Sequence, residues 1–215
     1  MFTGIVAAIG KITHIAPQDA HPDAGVRLSI DAGGLPIADV GLGDSIAING
    51  ACMTVVAKTE HGFAVDVSRE SLNCTAGLDA LGEVNLEKAL TLADRLGGHL
   101  VSGHVDGLGT VEKFVPVGES WELVVQAPAH LARYLALKGS VVVNGVSLTI
   151  NRVTDVPTGC QFSINVIPHT INVTTLKHLA QGVKVNLEID LIARYVERML
   201  SLDSGDLKNN FSIGK

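Results

Sequence analysis

The stretch SIAINGACMTV at residues 45–55 returns as SVVVNGVSLTI at residues 140–150, and this repetition decides the fold. Three further pairs of segments match in the same order: TGIVAAIG at 3–10 with SGHVDGLG at 102–109, FAVDV at 63–67 with FSINV at 162–166, and VNLE at 84–87 with VNLE at 185–188. A spacing of about one hundred residues is too long for a solenoid repeat and fits a whole small domain. We therefore predict two tandem copies of one domain.

Within each copy, most segments have the pattern of β-strands. The stretches VRLSI at 26–30 and WELVV at 121–125 alternate between apolar and polar residues, which favours strands with one buried face. The pairs Asn49-Gly50 and Asn144-Gly145 lie inside longer apolar runs and predict either a tight hairpin or a sharp bend. Short strands at about ten-residue spacing, separated by glycines, predict antiparallel barrels.

The predicted helices are few. The clearest covers residues 191–200, where an apolar stripe recurs with helical spacing at Ile192, Tyr195, Val196 and Met199. A second is predicted over 128–138 with a weaker counterpart over 34–42, and a short one over 88–96 between the copies. The last helix has no counterpart in the first copy. Its stripe could pack on its own chain or form a contact between subunits.

Composition and charge restrict the class of protein. Apolar residues make up 47% and charged residues 18%, which is typical of a globular chain. The net charge of −6 gives no basic surface for nucleic acid, and no apolar run is long enough to span a membrane. The first residues do not resemble a signal peptide, and three widely spaced cysteines predict free thiols in a reducing compartment. We predict a cytoplasmic protein that binds neither nucleic acid nor membrane.

The strongest candidate site residues come from comparing the copies. Cys52 in the first copy corresponds to Ser147 in the second, and each stands two residues before a threonine, Thr54 or Thr149. Alternation along a strand puts each pair on one face. If that face points into a barrel mouth, each copy offers two small polar groups suited to a polar heterocycle. Alternatively, Cys52 is a buried small residue and the threonines are ordinary strand residues.

The second copy also has ionisable residues that the first lacks. His104 corresponds to Ile5, and histidine is the side chain best suited to move a proton near neutral pH. Lys138 corresponds to Gly43 in the same way. Such charged residues could also be solvated at the surface. The two histidines at 99 and 104 do not have the ligand set of a zinc site.

Three further differences between the copies are candidates. Asp190 has no acidic counterpart in the first copy, and it could act in the site or simply cap the last helix. Glu70 and Ser71 correspond to His169 and Thr170. Both pairs follow matching strands and could form hydrogen bonds to a polyhydroxyl chain.

Together these motifs resemble the riboflavin synthase alpha subunit, a family of tandem lumazine-binding barrels. The resemblance covers about residues 1–200 and rests on six segments: MFTGIV at 1–6, NGACMTV at 49–55, RLGGHLVSGHVD at 95–106, KG at 138–139 with NGVSLT at 144–149, IPHT at 167–170, and NLEIDLIARYVER at 186–198. It implies two six-stranded antiparallel Greek-key barrels and a C-terminal α-helix. We expect the barrels over residues 1–97 and 98–189, and a trimerisation helix with a tail over 190–215.

The resemblance also implies a reaction. Family members convert two molecules of 6,7-dimethyl-8-ribityllumazine into riboflavin and 5-amino-6-ribitylaminouracil, at a site shared between subunits of a homotrimer. They need no cofactor or metal, and some associate with a lumazine synthase shell. The nearest alternative is a lumazine-binding antenna protein of the same fold, which binds the chromophore without converting it. A flavin-dependent reductase barrel would need a nucleotide-phosphate loop and a nicotinamide domain, and neither is found in the sequence.

Transferred residue by residue, the resemblance gives two sets of site residues. The residues predicted to act in catalysis are His104, Cys52, Ser147, Thr149 and Asp190. The residues predicted to bind substrate are Ser45, Thr54, Glu70, Ser71, Gly103, Lys138, His169 and Thr170. The first pocket would contain Ser45, Cys52, Thr54 and Ser71, and the second would contain Lys138, Ser147, Thr149 and Thr170.

Overall fold

The computed structural model describes residues 1–21 and 23–203 and consists of two β-units followed by a helix. The first unit contains six strands: β1 (Ala8–Pro17), β2 (Val26–Asp31), β3 (Ser45–Ile48), β4 (Ala51–Lys58), β5 (Gly62–Val67) and β6 (Gly82–Lys88). All neighbours pair antiparallel in the order β1-β2-β5-β4-β3-β6, and β6 pairs with β1 to close a barrel. The predicted all-β class with tandem barrels is confirmed.

The second unit repeats this plan with one strand interrupted. Its strands are β7 (Gly107–Val117), β8 (Ser120–Pro128), β9 (Ser140–Val143), β10 (Val146–Thr149), β11 (Arg152–Val156), β12 (Gly159–Val166) and β13 (Lys184–Ile189). The sheet order runs β10-β9-β13-β7-β8-β12-β11, so the two ends of the sheet are consecutive in the chain. Strands β10 and β11, at these two ends, together correspond to β4. The register of β4 against β5 shifts between Val55 and Ala57, at the position that matches the break between β10 and β11.

The interior of each unit is a packed apolar core. Ile12, Leu28 and Leu86 are among the buried residues of the first core. Phe162 and Leu187 belong to the second. Because interiors of this kind are packed as densely as organic crystals, a ligand of any size has to bind outside the barrels.

The two Asn-Gly pairs form tight hairpins rather than bends. Asn49 and Gly50 have φ of 47° and 84°, and Asn144 and Gly145 have φ of 48° and 82°, as a two-residue hairpin turn with positive φ at both positions requires. The two turns touch back to back. A Cβ on Gly50 would lie 2.8 Å from the backbone nitrogen of Gly145, so the contact requires glycine.

The repeated VNLE motif ties the two units together. Asn85 donates from Nδ2 to the carbonyl of Asn144 (2.8 Å), and Asn186 donates from Nδ2 to the carbonyl of Asn49 (3.0 Å). The amide oxygen of Asn85 accepts from the backbone of Thr175, on the opposite unit. This reciprocal exchange relates the units by an approximate twofold axis and satisfies polar groups that are buried between them.

The helices differ in part from the prediction. The structure contains α1 (Arg69–Cys74), α2 (Ala129–Ala132), α3 (Pro168–Val173), a 3-10 helix (Thr175–His178) and α4 (Leu191–Asp203). The predicted helix over 128–138 is wrong beyond Ala132, because Tyr134 forms a short i to i+3 hydrogen bond to Leu131 and the backbone N–H of Lys138 donates to Ile150. Lys138 ends this segment with a left-handed φ of 66°, which returns the chain to the sheet.

The predicted helices over 34–42 and 88–96 are also wrong. Residues 34–42 form turns that bury Leu35 and Val40 against the first core. After β6, the backbone and hydroxyl of Thr91 both donate to the carboxylate of Asp94 (2.8 and 2.9 Å). Such local hydrogen bonds stabilise a turn in competition with a helix.

The predicted C-terminal helix is confirmed as α4, and polar contacts hold it on the second unit. Arg194 donates to Asp106 (2.6 Å), and Glu197 accepts from Arg133 (2.6 Å). The apolar stripe is not covered by the described residues of its own chain. Its members are exposed by 64% at Ile192, 61% at Tyr195, 45% at Val196 and 60% at Met199. Residues 204–215 of the predicted tail lie outside the described residues.

Candidate functional site

The polar pair of each copy lies on the outer face of its unit. Along β4, Cys52 and Thr54 alternate with Ala51, Met53 and Val55, which are buried in the core. The expectation that this face points into a barrel mouth is therefore wrong, because the apolar residues between occupy the interior. The candidate site lies outside the barrels.

The segment that precedes each barrel crosses over and covers the polar residue of the other copy. The carbonyl of Gly103 accepts from the backbone N–H of Cys52 (2.7 Å), and the carbonyl of Gly4 accepts from that of Ser147 (2.7 Å). Gly4 and Gly103 have φ of 74° and 79°. A Cβ on either glycine would lie 2.7 Å from the Cβ of Ser147 or Cys52, so only glycine allows this approach.

A cavity of about 210 Å³ opens beside Cys52. Five predicted site residues line it, namely Cys52, Glu70, Ser71, Gly103 and His104. Pockets that enclose a small ligand usually measure about 300–1,000 Å³, so this cavity holds only part of such a molecule.

Helix α1 presents the polar wall of this cavity. The hydroxyl of Ser68 caps the helix by accepting from the backbone of Ser71 (3.0 Å). The thiol of Cys74 donates to the carboxylate of Glu70 (3.2 Å), and this hydrogen bond raises the pKa of Cys74. Cys74 is therefore held in its protonated form. Glu70 and Ser71 offer acceptor and donor groups to a hydroxyl-rich chain.

Beside Ser147, the counterpart of Cys52 in the second copy, lies a histidine that the sequence prediction did not include in the site. The Nδ1 atom of His99 lies 2.8 Å from Oγ of Ser147, and its backbone N–H donates to Thr3. The other ring nitrogen is buried and has no hydrogen-bond partner among the described residues. Burial lowers the pKa of His99 and a smaller effect of Asp190 opposes this shift, so the neutral ring is favoured. His99 precedes the first matched segment of the second copy, so comparing the copies does not reach it.

Asp190 and Lys138 have structural contacts of their own. The carboxylate of Asp190 accepts from the backbone of Ile192 (2.8 Å) and caps α4, as one of the two interpretations predicted. The exposed Lys138 donates to Asn151 (3.1 Å). It adopts a left-handed φ where the first copy has Gly43, and such a conformation in a non-glycine residue is uncommon.

The remaining predicted residues lie apart from the cavity beside Cys52. Ser45 faces Thr54 across β3 and β4, and it lines a separate cavity of about 760 Å³ between the first unit and the linker. Thr149 is exposed on the outer face of β10, and His169 and Thr170 belong to α3, the counterpart of α1. We centre the candidate site on the smaller cavity because five predicted site residues line it, whereas Ser45 alone lines the larger one.

The described part of the chain has neither a metal cluster nor a membrane-spanning helix. Residues 1–21 and 23–203 contain no group of three or more His, Cys, Asp or Glu side chains that could hold a metal ion. No helix within these ranges is long and apolar enough to cross a membrane.

Comparison with known proteins agrees with the duplication. Residues 3–89 and 102–190 each match the lumazine binding domain family. The chain is 42% identical to riboflavin synthase from Photobacterium phosphoreum over 212 residues, and the alignment covers 98% of this chain and 94% of that protein. It is 45% identical to riboflavin synthase from Mycobacterium tuberculosis over 209 residues, and this alignment covers 93% of this chain and 98% of that protein.

Solved structures with a similar fold include two complexes of LumP. The complex with riboflavin has a TM-score of 0.76 at 27% identity and covers 88% of this chain and 99% of that one. The complex with 6,7-dimethyl-8-(1'-D-ribityl) lumazine has a TM-score of 0.73 at 26% identity and covers 87% and 98%.

Proposed function

This chain belongs to the lumazine-binding domain family, and we propose that it is a riboflavin synthase. It converts two molecules of 6,7-dimethyl-8-ribityllumazine into riboflavin and 5-amino-6-ribitylaminouracil by transfer of a four-carbon unit. The observation that carries this proposal is the duplicated outer-face site, built alike around Cys52 and Ser147. A reaction between two molecules of one substrate needs two similar pockets with different tasks. The different partners, His104 beside Cys52 and His99 beside Ser147, fit that need.

The complete site requires a second subunit. The cavity beside Cys52 is smaller than a ligand pocket, and the apolar stripe of α4 is exposed. We propose that α4 assembles a homotrimer in which the Cys52 half-site of one subunit faces the Ser147 half-site of its neighbour. Each half-site then holds one lumazine, and the two rings stack against each other. Holding both reactants in this register can supply on the order of 7–11 kcal/mol of the barrier reduction.

The first half-site supplies the carbon nucleophile. The 7-methyl group of the lumazine is acidic because its anion is delocalised over the ring system. His104 lines the cavity and accepts this proton, which leaves the carbanion free to attack the second lumazine. Donors aimed at the anionic ring stabilise it by roughly 2.7–4 kcal/mol each where water is excluded.

The second half-site activates the other lumazine by addition at C7. The oxygen of Ser147 adds to C7 while its proton passes to the neutral ring of His99, which lies 2.8 Å away, and the addition leaves C6 as the carbon of a C6=N5 imine that the carbanion attacks. The second carbon–carbon bond forms at C7 as the C7–O bond breaks, and the serine oxygen takes its proton back from His99. Cleavage of the C6–N5 and C7–N8 bonds of this lumazine releases 5-amino-6-ribitylaminouracil, whose nitrogens take up the protons lost from the methyl groups, and leaves riboflavin.

Thr149, Lys138 and Asp190 orient this second lumazine, and Glu70 and Ser71 in the cavity wall orient the first. Ser45 and Thr54 lie apart from that cavity, and their binding role stays a prediction. His169 and Thr170 form hydrogen bonds to the second ribityl chain, as Glu70 and Ser71 do to the first.

The competing function is a carrier that binds lumazine without converting it, and the solved LumP complexes contain riboflavin or the lumazine as the bound ligand. The higher identity to riboflavin synthases over nearly the whole chain supports the enzyme instead. Association with a lumazine synthase shell, a cytoplasmic location, and barrel boundaries at residues 97 and 189 stay predictions.

Incubation with the lumazine alone tests the proposed function. We expect riboflavin and 5-amino-6-ribitylaminouracil in equal amounts, separated by chromatography and identified by mass. Bound lumazine that is recovered unchanged after prolonged incubation would instead assign the chain to the carriers.

A further inference from the structure

The last residue of each VNLE motif is a buried glutamate. Glu188 is 2% exposed, and its Oε1 accepts from both the backbone (2.6 Å) and the hydroxyl (2.7 Å) of Ser102. Its Oε2 accepts from the backbone of Gly103 (3.0 Å). Glu188 does not line the cavity beside Cys52.

The first copy repeats this arrangement. Glu87 is 8% exposed and accepts from the backbone and hydroxyl of Thr3 (both 2.6 Å) and from the backbone of Gly4 (3.0 Å). All three partners of each carboxyl donate, which suits an ionised carboxylate. Burial raises the pKa of both glutamates and these hydrogen bonds oppose the shift. Among the described residues, each carboxylate therefore takes its hydrogen bonds from its own leading segment.

Each leading segment that a glutamate binds contacts the half-site of the other copy. Gly103, bound by Glu188 of the second unit, contacts Cys52 of the first, and His104 follows it directly. In the first unit, Glu87 binds Gly4, which contacts Ser147 of the second. The two half-sites thus depend on glutamates that lie in the opposite barrels.

We propose that Glu188 and Glu87 are positioning residues with crossed action. Glu188 sets the geometry of the half-site around Cys52, and Glu87 sets that around Ser147. Neither residue touches the reacting atoms. This inference rests on the proposed function for its catalytic meaning, whereas the crossed geometry can be measured without it.

Amide hydrogen exchange on the full-length protein tests the crossing directly. The reporters are the N–H groups of Cys52 and Ser147, which donate to Gly103 and Gly4 across the units. We expect Glu188→Gln to speed exchange at Cys52 by about tenfold or more and to leave Ser147 nearly unchanged. Glu87→Gln should give the reverse pattern and is the matched control. Equal acceleration at both amides in either variant, or none at either, would overturn the proposal.

Variants of Ser102 separate positioning from a general loss of structure. Ser102→Ala removes one of the three hydrogen bonds to Glu188 and should speed exchange at Cys52 less than Glu188→Gln does. Ser102→Thr keeps the hydroxyl, as Thr3 does in the first copy, and should restore wild-type protection of the Cys52 amide. Equal exchange rates in the alanine and threonine variants would contradict the proposed geometry.

Turnover of the lumazine gives the functional readout. Glu188→Gln should lower kcat about tenfold while the KM for lumazine changes less, because binding groups remain and only their alignment is lost. An unchanged kcat together with altered exchange at Cys52 would overturn the positioning role. If the wild type converts no lumazine, the proposed function fails, and the exchange pattern still decides whether the glutamates act across the units.

Discussion

At the scale of single residues, His104 has the clearest role in the proposed mechanism. It is exposed at the edge of the cavity beside Cys52, where an imidazole can accept a proton from bound lumazine. We expect His104→Gln to lower kcat about 100-fold or more, since a positioned acid–base group typically contributes that much. Riboflavin binding, measured by fluorescence quenching, should persist. The exposed His61 lies away from this cavity, and His61→Gln should retain full activity; full activity in His104→Gln would remove His104 from the mechanism.

Cys52 and Ser147 allow a graded comparison between the half-sites. Cys52→Ala removes a thiol from the cavity wall but leaves the backbone contact with Gly103, so we expect a moderate loss of kcat with ligand binding retained. Ser147→Ala removes the hydroxyl that His99 contacts, and we expect a larger loss. Steady-state kinetics on both variants checks the order. Equal full activity would show that neither side chain takes part.

The lowered pKa of His99 predicts a pH effect on stability. Because the unfolded chain binds this proton more readily than the folded one, the contribution of neutral His99 is complete above its ordinary pKa of about 6.5 and is lost as the pH falls below it. We expect the Tm of the wild type to fall more than that of His99→Gln between about pH 7.5 and pH 5.5. His61→Gln is the exposed control. Identical falls in wild type and His99→Gln would contradict this assignment.

Part of the site could be predicted from the residues. Alternation along the strand correctly put Cys52 and Thr54 on one face, and the apolar residues between them make it the outer one. The sequence could not predict that Gly103, distant along the chain, covers this outer face. His99 was missed for a related reason, because its link to Ser147 is formed only after the linker crosses between the units.

At the scale of elements, α4 presents an apolar face with nothing on it from the described residues of its own chain. Polar contacts of Arg194 and Glu197 fix its orientation, so the exposed stripe cannot turn inward without breaking them. We expect Tyr195→Lys combined with Met199→Lys to give monomers in sedimentation experiments. The monomers should bind lumazine and turn it over poorly, because they lack the facing half-site. Arg198→Gln, off the stripe, is the control and should remain oligomeric; fully active monomers would contradict the shared site.

The back-to-back hairpins make a second prediction for elements. A Cβ on Gly50 would meet the backbone of Gly145 at 2.8 Å, and Gly50 has a φ of 84°. We expect Gly50→Ala to reduce the free energy of unfolding by about 1–3 kcal/mol. A Cβ on Gly34 would have no atom within 4 Å, and Gly34 has no positive φ, so Gly34→Ala should be neutral or slightly stabilising. Equal denaturation midpoints for the two variants would argue against close contact of the hairpins.

The elements that could be predicted are those specified by local pattern. The stripe of α4 and the alternation of β2 are repeated over enough residues to be decisive. The segment after Ala132 has apolar residues at helical spacing, yet the chain must rejoin the sheet at Gly139. This tertiary requirement outweighs helix propensity, and the sequence alone does not reveal it.

At the scale of the whole molecule, duplication explains both the architecture and the proposed chemistry. The repeated motifs were sufficient to predict two barrels of one fold. The exchange of leading segments between the units was not predictable, because it depends on contacts between residues far apart in sequence, such as Gly103 with Cys52. That exchange links the two half-sites of one chain, while the exposed α4 stripe supplies the means to join half-sites of different chains.

Complementation between two inactive variants tests the shared site most directly. One variant carries Cys52→Ala with His104→Gln, and the other carries Ser147→Ala with His99→Gln, so each keeps one intact half-site. Trimers assembled at random from equal amounts should recover about a quarter of the wild-type activity, because about a quarter of all neighbouring pairs, in pure and mixed trimers together, combine two intact half-sites. Activity that stays at the level of the separate variants, in trimers proven to contain both chains, would contradict a site built from two subunits.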